Sequence, residues 1–393
     1  MGGPFESTVI RIWSGMSDSR RILHVITGLG NGGAEAVLYR LCLSDKRNSH
    51  LVISLMDLGY YGPKLLEANM EVHALDMPRG RITMRGLAKL WNLIRTAKPD
   101  VVQTWMYHAD LLGGLAARLA GVKSVVWGIH HTVLEPGKSK NGTIVIARLL
   151  AKLSHFVPRQ ITACAEKSVL VHVALGYKAE KMVVVPNGYD LQNFIRDEQQ
   201  RAALRTSWNI DESMPLLGMV SRYDPQKDHA NLIKALAELK KSGQRFCCLL
   251  VGSGMVAENA ELTERIAHAG LQSEIMLLGP RNDIPAVMSA LDLHVLSSSA
   301  EAFPNVLAEA MACGTPCVTT DVGDAALIVG DTGWVTPPSN AAALAESMGL
   351  ALAARQAGGW SDRKLRARQR VEQNFSLDRM VAGYQGIWNR AVV

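Results

Sequence analysis

The amino-acid sequence predicts an α/β protein made of two Rossmann-like, doubly wound lobes that face each other across a cleft. The chain has 393 residues, more than a single ordinary domain of about 150 residues would use. Short β-branched runs alternate with helical patterns almost throughout, and this alternation predicts parallel strands joined by crossover helices. The pattern starts again after the polar stretch that follows Pro186, so the same architecture is expected twice.

The pattern divides the chain into four segments. The first 20 residues form an extension in which charged residues interrupt a short apolar patch, so no signal peptide is expected. The last segment is expected to be a single helix. The boundaries are 1–20 for the extension, 21–187 for the first lobe, 188–375 for the second lobe and 376–393 for the C-terminal helix.

Each lobe is expected to contain short apolar strands. In the first lobe, a strand over 21–27 leads into a glycine-rich turn and then a helix from Gly33 to about Leu43. The other strands predicted in this lobe are 51–55, 72–75, 101–104, 124–127, 160–163 and 182–185. Those predicted in the second lobe are 216–220, 245–251, 275–278, 293–296, 316–319 and 333–335. Ligands of such sheets bind beyond the carboxyl ends of the strands, which predicts a ligand site in the cleft between the lobes.

Charge is distributed unevenly along the chain. The whole chain carries +6, but the first 190 residues carry +9 and the remainder carries −3. A basic first lobe suggests a negatively charged partner, which could be a nucleic acid, an anionic membrane or a phosphorylated acceptor. A hydrophobic fraction of 48% with 20% charged residues is typical of a globular chain and argues against a disordered or coiled-coil protein.

A glycine-rich segment directly follows the first predicted strand. Gly28, Gly30 and Gly33 fit the dinucleotide pattern Gly-x-Gly-x-x-Gly, and Asp57 near the end of the second strand could bind a ribose. Glycines here can equally let the backbone approach an anion or a sugar at the start of a helix. They can also form only a tight turn, so three interpretations remain open.

A second group of charged residues follows the first strand of the second lobe. Pro225 predicts a turn that leaves Arg222 and Lys227 at the carboxyl edge of the sheet. A guanidinium group and an ammonium group together suit a diphosphate. The alternative is a charged surface loop in which Asp224 and Asp228 neutralise both cations.

A third group combines two glutamates with a short helix. Pro304 suits the first helical position, and Gly314 with Pro316 ends the helix. Free amides of the first turn can bind a phosphate or sugar oxygen, while Glu301 and Glu309 can accept hydrogen bonds from hydroxyl groups. The alternative is one N-terminal charge and one surface glutamate.

Together these groups resemble the GT-B glycosyltransferases of retaining glycosyltransferase family 4. The resemblance runs from about Arg21 to the carboxyl terminus. Its specific motifs are a Ser-Arg-x-x-x-x-Lys block that ends at Lys227, two glutamates separated by seven residues, and a Glu-Ala-Met-Ala-Cys-Gly-Thr-Pro run that begins at Glu309. Segments 185–188 and 321–324 also fit the family pattern.

The resemblance implies that the first lobe binds the acceptor and the second lobe binds the nucleotide-sugar donor. Arg222 and Lys227 would hold the donor diphosphate. Glu301 would contact the donor sugar and Glu309 the ribose. The further residues assigned to donor binding are Gly32 and Gly33 in the glycine loop, which closes over the donor, and Phe303, Asn305 and Val306 near the two glutamates.

The resemblance also reaches a pair of histidines after a first-lobe strand. Family members often place a histidine or an arginine there, close to the reacting sugar, which implies a catalytic role beside Glu301 for His130 or His131. The sequence does not decide between these two residues. His108 is another cleft candidate, on the acceptor side. Each of the three could also be an ordinary polar residue.

The implied function is transfer of a sugar from a nucleotide-diphosphate sugar, UDP-linked by family resemblance, to a glycan acceptor on a lipid, with retained anomeric configuration. No Asp-x-Asp sequence occurs in the chain, so protein cations and helix amides are expected to stabilise the leaving group without a metal or a cofactor. The alternatives are an NAD-dependent oxidoreductase that uses the glycine loop and a basic nucleic-acid-binding protein. No nucleic-acid-binding motif supports the latter.

Two basic stripes in the first lobe suggest contact with an anionic membrane. Segment 141–158 is predicted to form an amphipathic helix, and a second stripe recurs every four residues. The alternative is two ordinary surface helices. The expected location is cytoplasmic and peripheral on the inner face of the membrane. The basic residues are Arg148, Lys152, His155 and Arg159, with Arg81, Arg85 and Lys89; the apolar residues predicted opposite the first stripe are Val145, Ile146, Leu149, Leu150, Leu153 and Phe156.

Overall fold

The structure, a computed structural model, describes residues 19–132, 134 and 141–392. Its secondary structure forms two parallel β-sheets, each covered by helices on both faces. The predicted α/β fold with two Rossmann-like lobes is confirmed. Of the predicted N-terminal extension, residues 1–18 lie outside the described residues.

The first lobe contains a seven-stranded sheet with the order β3-β2-β1-β4-β5-β6-β7. Every neighbouring pair of strands is parallel. The elements are β1 (Arg21–Ile26), α1 (Gly33–Ser44), β2 (Ser49–Ser54), α2 (Tyr61–Glu67), β3 (Glu71–Ala74), α3 (Met84–Ala97), β4 (Val101–Trp105), α4 (Tyr107–Leu119), β5 (Val125–Ile129), α5 (Asn141–Leu153), β6 (Gln160–Ala163), α6 (Glu166–Ala174) and β7 (Met182–Val184).

The second lobe contains a six-stranded parallel sheet with the order β10-β9-β8-β11-β12-β13. Its elements are α7 (Glu198–Ser207), β8 (Leu216–Val220), α8 (His229–Lys241), β9 (Cys247–Val251), α9 (Ala260–His268), β10 (Ile275–Gly279), α10 (Ile284–Ala290), β11 (Leu293–Leu296), α11 (Asn305–Ala312), β12 (Cys317–Thr320), α12 (Ala325–Val329), β13 (Trp334–Thr336), α13 (Ala341–Gln356) and α14 (Trp360–Asn374). A final helix, α15 (Leu377–Val392), follows.

Two element boundaries differ from the sequence prediction in a way that matters for the site. Pro304 precedes α11 as its N-cap, with an extended backbone, and the helix begins at Asn305. Pro304 has no side-chain acceptor and gives α11 no side-chain cap, so the first-turn amides can bind a ligand oxygen. The helix predicted over 141–158 ends at Leu153, and the rest of that segment leads to β6.

The C-terminal helix α15 returns to the first lobe and packs against β1, β4 and α1. Tyr384 and Trp388 are buried in the same apolar cluster as Ile22. The indole N–H of Trp388 donates to Gln103 Oε1 at 3.2 Å, and Gln385 Nε2 donates to the Asp45 carboxylate at 2.8 Å. Burial and directed hydrogen bonds together fix α15 on the first lobe.

A buried polar relay lies beneath this helix. The Trp105 indole N–H donates to His24 Nδ1 at 3.1 Å, so the His24 proton lies on Nε2, which faces His50 Nδ1 at 3.0 Å. His50 Nε2 in turn lies 3.3 Å from the Asp45 carboxylate. The Cys42 thiol is close enough to both rings for a shared metal. The two facing nitrogens share a proton instead, so they are not both free to act as ligands.

Asp110 in α4 is a buried carboxyl group with incomplete hydrogen bonding. Its Oδ1 accepts from Thr104 Oγ1 at 2.5 Å and from the Gly128 amide at 3.3 Å, whereas Oδ2 has no hydrogen-bond partner among the described residues. Burial raises the pKa of Asp110 to about 8. The folded protein therefore holds a proton that the unfolded chain loses near pH 4, and the associated stability is lost as the pH rises from about 4 to 8.

We expect Asp110→Asn to be more stable than the wild type at pH 7.5, with the difference shrinking as the pH falls towards 5. The substitution keeps the accepting Oδ1 and removes the ionisable group. In the wild type, that group lowers the free energy of unfolding by at most about 1.4 kcal/mol for each unit of rising pH. Urea denaturation at several pH values measures the effect. Asp57→Asn, which changes an exposed carboxylate, is the matched control and should keep the wild-type slope. Parallel pH profiles for the wild type and Asp110→Asn would contradict the assignment.

Candidate active site

The cleft between the lobes lies where the strand order reverses in each sheet. These switch points are between β1 and β4 in the first lobe and between β8 and β11 in the second. Loops at the carboxyl ends of the strands surround a cavity of ≈ 360 Å³, which is where open parallel sheets bind ligands. Its lining includes Gly33, Glu35, Met106, His130 and His131 from the first lobe, and Arg222, Lys227, Glu301, Phe303, Asn305 and Val306 from the second.

Two loops of the second lobe are tied together beside this cavity. The loop after β8 forms a short 3₁₀ turn over Pro225–Lys227, capped by the Asp224 carboxylate. The loop after β11 hydrogen-bonds to it, since Ser297 Oγ donates to the Lys227 carbonyl at 2.8 Å and the Ser299 amide donates to the Gln226 carbonyl at 2.8 Å. The neighbouring strands thus hold the two predicted donor-binding groups at one edge.

The cations of these loops face carboxylates of the same lobe. Lys227 Nζ lies 2.5 Å from Glu301 Oε1, and Ser298 Oγ donates to the same oxygen at 2.8 Å. Arg222 Nε lies 3.1 Å from Asp224. The Lys227 and Glu301 side chains are only 19% and 14% exposed, whereas the Arg222 side chain is 60% exposed. An exposed pair contributes little to stability, so Arg222 can turn towards a bound anion at little cost.

The charged-loop alternative expected Asp224 and Asp228 to neutralise Arg222 and Lys227. Asp224 does contact Arg222, but Asp228 does not pair with Lys227. Asp228, which could have neutralised Lys227, instead caps α8 by accepting from the Asn231 amide at 3.1 Å. The partner of Lys227 is Glu301, which is 74 residues away in sequence. The lysine and the glutamate thus contact one another beside the position proposed for a donor.

The predicted ribose ligand Glu309 lies inside α11 and does not line the cavity. It is partly buried, and burial raises its pKa while the nearby Arg40 guanidinium opposes that shift.

Two apolar residues assigned to donor binding, Phe303 and Val306, do line the cavity. Phe303 is buried, with its ring edge-on to Phe375.

The glycine loop of the first lobe approaches the second lobe closely at one point. A Cβ atom on Gly33 would lie 3.2 Å from the Asn305 side-chain amide, whereas a Cβ atom on Gly30 would meet nothing within 4 Å. Asn187 Nδ2 and the Tyr189 hydroxyl both donate to Asn305 Oδ1, at 2.9 and 2.5 Å. Gly33 is therefore the glycine that the close approach of the lobes requires.

Glu35 was not assigned a role from the sequence, yet it lines the cavity. It is the third residue of α1, and a Cβ atom on the N-cap Gly32 would collide with its carboxylate. Burial raises the pKa of Glu35, while Arg222 of the opposite lobe favours its charged form. A glutamate at the third helical position often turns back to the helix start, and this spacing was the available signal.

The two histidines after β5 both line the cavity, each beside an aromatic residue of the β4–α4 turn. His130 stacks on Trp105 with ring centres 5.1 Å apart, and His131 meets the edge of Tyr107 at 6.2 Å. Burial lowers the pKa of His130 to about 4, so its ring is neutral at pH 7. His108, the third candidate, is partly buried and does not line the cavity.

Comparison with known proteins identifies both lobes. Residues 31–193 match the model of Glycosyltransferase Family 4, and residues 200–370 match that of Glycosyl transferases group 1. The putative glycosyltransferase EpsF of Bacillus subtilis (strain 168) is 29% identical over 316 residues, which cover 78% of this chain and 80% of that protein.

Two other similar proteins have more specific descriptions. The UDP-Gal:alpha-D-GlcNAc-diphosphoundecaprenol alpha-1,3-galactosyltransferase of Escherichia coli is 28% identical over 241 residues, which cover 61% of this chain and 62% of that protein. The crystal structure of Anabaena Alr3699/HepE in complex with UDP and glucose superposes with a TM-score of 0.82 at 24% identity, over 94% of this chain and 99% of that one.

The contact between Gly33 and Asn305 can be tested by stability alone. Gly33→Ala should lose the gain of up to about 1 kcal/mol that alanine normally gives in a helix, because the methyl group presses on an anchored amide. The same substitution in an Asn305→Ala background should recover that gain, so the two changes should couple by about 1 kcal/mol in urea denaturation. Gly30→Ala, in open space, is the control. Additive effects of Gly33→Ala and Asn305→Ala would contradict the contact.

Proposed function

The chain belongs to glycosyltransferase family 4, with the GT-B fold, and we propose that it moves a sugar from a UDP-sugar to a hydroxyl group of a lipid-linked glycan, with retained anomeric configuration. The observation that carries this proposal is the convergence of Arg222, Lys227 and Glu301 at the switch point of the second sheet, opposite Gly33 and the histidines of the first lobe. A diphosphate and its sugar fit this arrangement of cations beside a carboxylate.

The relatives support the choice of donor and acceptor. The galactosyltransferase of E. coli is named for a UDP-sugar donor and an acceptor that carries a sugar on diphosphoundecaprenol, and the HepE structure contains UDP. Transfer of a sugar from a UDP-sugar to a lipid-linked glycan is consistent with surface polysaccharide synthesis, which the resemblance to family 4 also implies.

The cleft residues divide the chemistry between the lobes. Arg222, Lys227 and the first-turn amides of α11 would stabilise the negative charge that develops on the departing nucleoside diphosphate. Glu301, one side of which already faces Lys227, would orient the donor sugar. His130 is neutral at pH 7 because burial lowers its pKa to about 4, so it can exchange hydrogen bonds with sugar hydroxyls but supplies no positive charge. We propose that this reaction requires no metal and no cofactor.

The alternative functions explain fewer of these residues. An NAD-dependent oxidoreductase would use only the glycine loop and Asp57 of the first lobe. It would leave Arg222 and Lys227 without a purpose. A nucleic-acid-binding protein would leave the enclosed cleft unexplained.

We expect Arg222→Ala and Lys227→Ala each to lower turnover by about 10²-fold or more, because each removes a charged hydrogen bond to a diphosphate whose charge grows during the reaction. Steady-state kinetics with a UDP-sugar and a lipid-linked acceptor, in the presence of EDTA, measures the effect. The wild-type rate should be unchanged by the chelator.

Arg281→Ala is the matched control, because Arg281 pairs with Asp283 in the same lobe and does not line the cavity. It should keep the wild-type rate. Near-normal rates for both cleft variants would remove the diphosphate assignment. A wild-type rate abolished by EDTA and restored by magnesium would refute the metal-free mechanism.

The first lobe also presents a surface that suits an anionic membrane. Helices α3, α4 and α5 pack side by side as one layer, so the helices that carry most of the two predicted basic stripes are neighbours. Within the described residues, no helix has the length and apolar character that a membrane span needs. The arginines and lysines of the two predicted stripes are all exposed: Arg81, Arg85, Lys89, Arg148, Lys152 and Arg159.

The structure corrects the predicted division of α5 into a basic and an apolar side. Val145, Leu149 and Phe156, predicted to lie opposite the basic residues, are exposed beside them, and Phe156 is 78% exposed. Leu150 is buried and Ile146 and Leu153 are partly buried, as an ordinary inner face requires. At the end of α4 and the start of α3, Leu119 and Met84 are 79% and 81% exposed. Apolar side chains among cations suit the interface of an anionic bilayer.

We propose that this layer, defined as the outer face of α3, α4 and α5 together with Phe156, binds the membrane peripherally and reversibly. Each cation near an anionic surface strengthens the free energy of membrane binding by about 1 kcal/mol. The exposed apolar side chains strengthen it further by inserting into the interface of the bilayer. The layer belongs to the lobe to which the family resemblance assigns the acceptor, so binding here would bring the cleft to a lipid-linked substrate.

We expect Arg148→Glu/Lys152→Glu to reduce cosedimentation with anionic liposomes at low salt by about 10-fold or more, since two cations near the surface are reversed. The control is Lys234→Glu/Lys241→Glu, which makes the same change in net charge on the second lobe. It should retain the wild-type binding. Wild-type protein that ignores lipid charge, or stays unbound at low salt, would contradict the membrane proposal.

A further inference from the structure

The segment 321–324 fits the family pattern but has no part in the site described so far. Its last residue, Asp324 of the second lobe, is buried and reaches the first lobe. The Asp324 carboxylate accepts hydrogen bonds from the amides of Glu166 at 2.6 Å and Lys167 at 3.1 Å. These are the first two residues of α6, so a carboxylate of one lobe caps a helix of the other.

Helix α6 has no cap of its own. Its N-cap residue is Ala165, which offers no side-chain acceptor, and an uncapped helix start leaves amides without partners. Local sequence usually supplies the missing oxygen. Here it comes from a residue 158 positions away, so the cap is complete only while the two lobes are together.

The backbone of the same residue holds the donor loop. The Asp324 amide donates to the Ala302 carbonyl at 2.9 Å, next to Glu301. The preceding Gly323 has a φ of +53°, and a Cβ atom there would collide with the Ala302 carbonyl. Only glycine can therefore lie this close to the loop after β11.

We propose that Asp324 is a positioning residue that couples the donor loop to closure of the two lobes. Its backbone fixes the loop that carries Glu301, and its side chain fixes the first lobe at the start of α6. A neighbouring first-lobe residue, Cys164, lines the cleft, so the contact lies at the edge of the reaction site. The proposal rests on the proposed glycosyltransferase function.

A second contact between the lobes, the Lys167–Asp321 ion pair, offers a matched comparison. Its atoms lie 2.8 Å apart, but the two side chains are 44% and 50% exposed. Exposed ion pairs contribute little because water and salt screen them. The Asp324 hydrogen bonds are buried and directed at a helix terminus, so opening the cleft would leave two amides and a carboxylate without their partners.

The test compares Asp324→Asn with Asp321→Asn. In the wild type each amide donates to a different carboxylate oxygen. An asparagine side chain replaces one of these oxygens with an NH₂ group, so in the same orientation it keeps only one of the two hydrogen bonds. We expect Asp324→Asn to lower kcat/KM for the UDP-sugar by about 10-fold or more, and to give a larger radius of gyration than the wild type in small-angle X-ray scattering. Asp324→Glu, which keeps the carboxylate, should bring kcat/KM and the radius of gyration part of the way back to their wild-type values. Asp321→Asn should resemble the wild type.

Hydrogen exchange of the wild-type protein gives a reading that needs no variant. The α6 amides of Glu166 and Lys167 should exchange slowly, and more slowly still when UDP is added. Unchanged exchange with bound UDP would overturn the coupling. So would a loss of activity in Asp324→Asn without a change in the radius of gyration, which would limit Asp324 to a local role in the donor loop. A wild type that neither binds UDP nor transfers sugar would reject the proposed function, while the ligand-free scattering comparison would still test the contact.

Discussion

The reversal of strand order in the middle of each parallel sheet is the constraint on which the rest of the site depends. At these points, the loops that leave neighbouring strands turn to opposite faces and open a crevice at the carboxyl edge. In the second lobe the crevice lies between β8 and β11, whose loops carry Lys227 and Glu301. The two lobes face each other at these crevices, so one cleft is lined by side chains from the loops of both sheets.

A cleft that is proposed to bind a diphosphate has to balance the charge of its own cations before the ligand binds. The carboxylates at the cleft serve this purpose in different ways. Glu301 shields Lys227 in a largely buried pair, while Asp224 contacts Arg222 in an exposed one. Glu35 turns back over the start of α1, where an anion could also bind. In the proposed function, binding of the donor would replace these contacts between cations and carboxylates with contacts between the same cations and the diphosphate. This exchange limits the net free energy of binding but favours ligands of matching shape.

The sequence predicted most of the fold and much of the cleft, because both depend on local patterns. Alternating apolar runs specify strands, and strand ends specify which loops reach the cleft, so Arg222 and Lys227 could be placed there. The resemblance to family 4 added His130 or His131 without deciding between them. Contacts between distant residues could not be read in this way. The pairing of Lys227 with Glu301 spans 74 positions. The helical periodicity predicted for 141–158 also placed Phe156 wrongly, because α5 ends at Leu153 and Phe156 lies in the turn that follows it.

The β4–α4 turn shows a similar dependence on the whole fold. Met106 has φ +70° and ψ 157°, a conformation that costs an ordinary side chain about 1–3 kcal/mol. Its amide nevertheless donates to the Gly128 carbonyl at 2.9 Å, which extends the pairing between β4 and β5. The flanking residues Trp105 and Tyr107 contact the two histidines of the cleft. The strained turn thus sets the positions of both rings, and no single segment of the sequence could have revealed that arrangement.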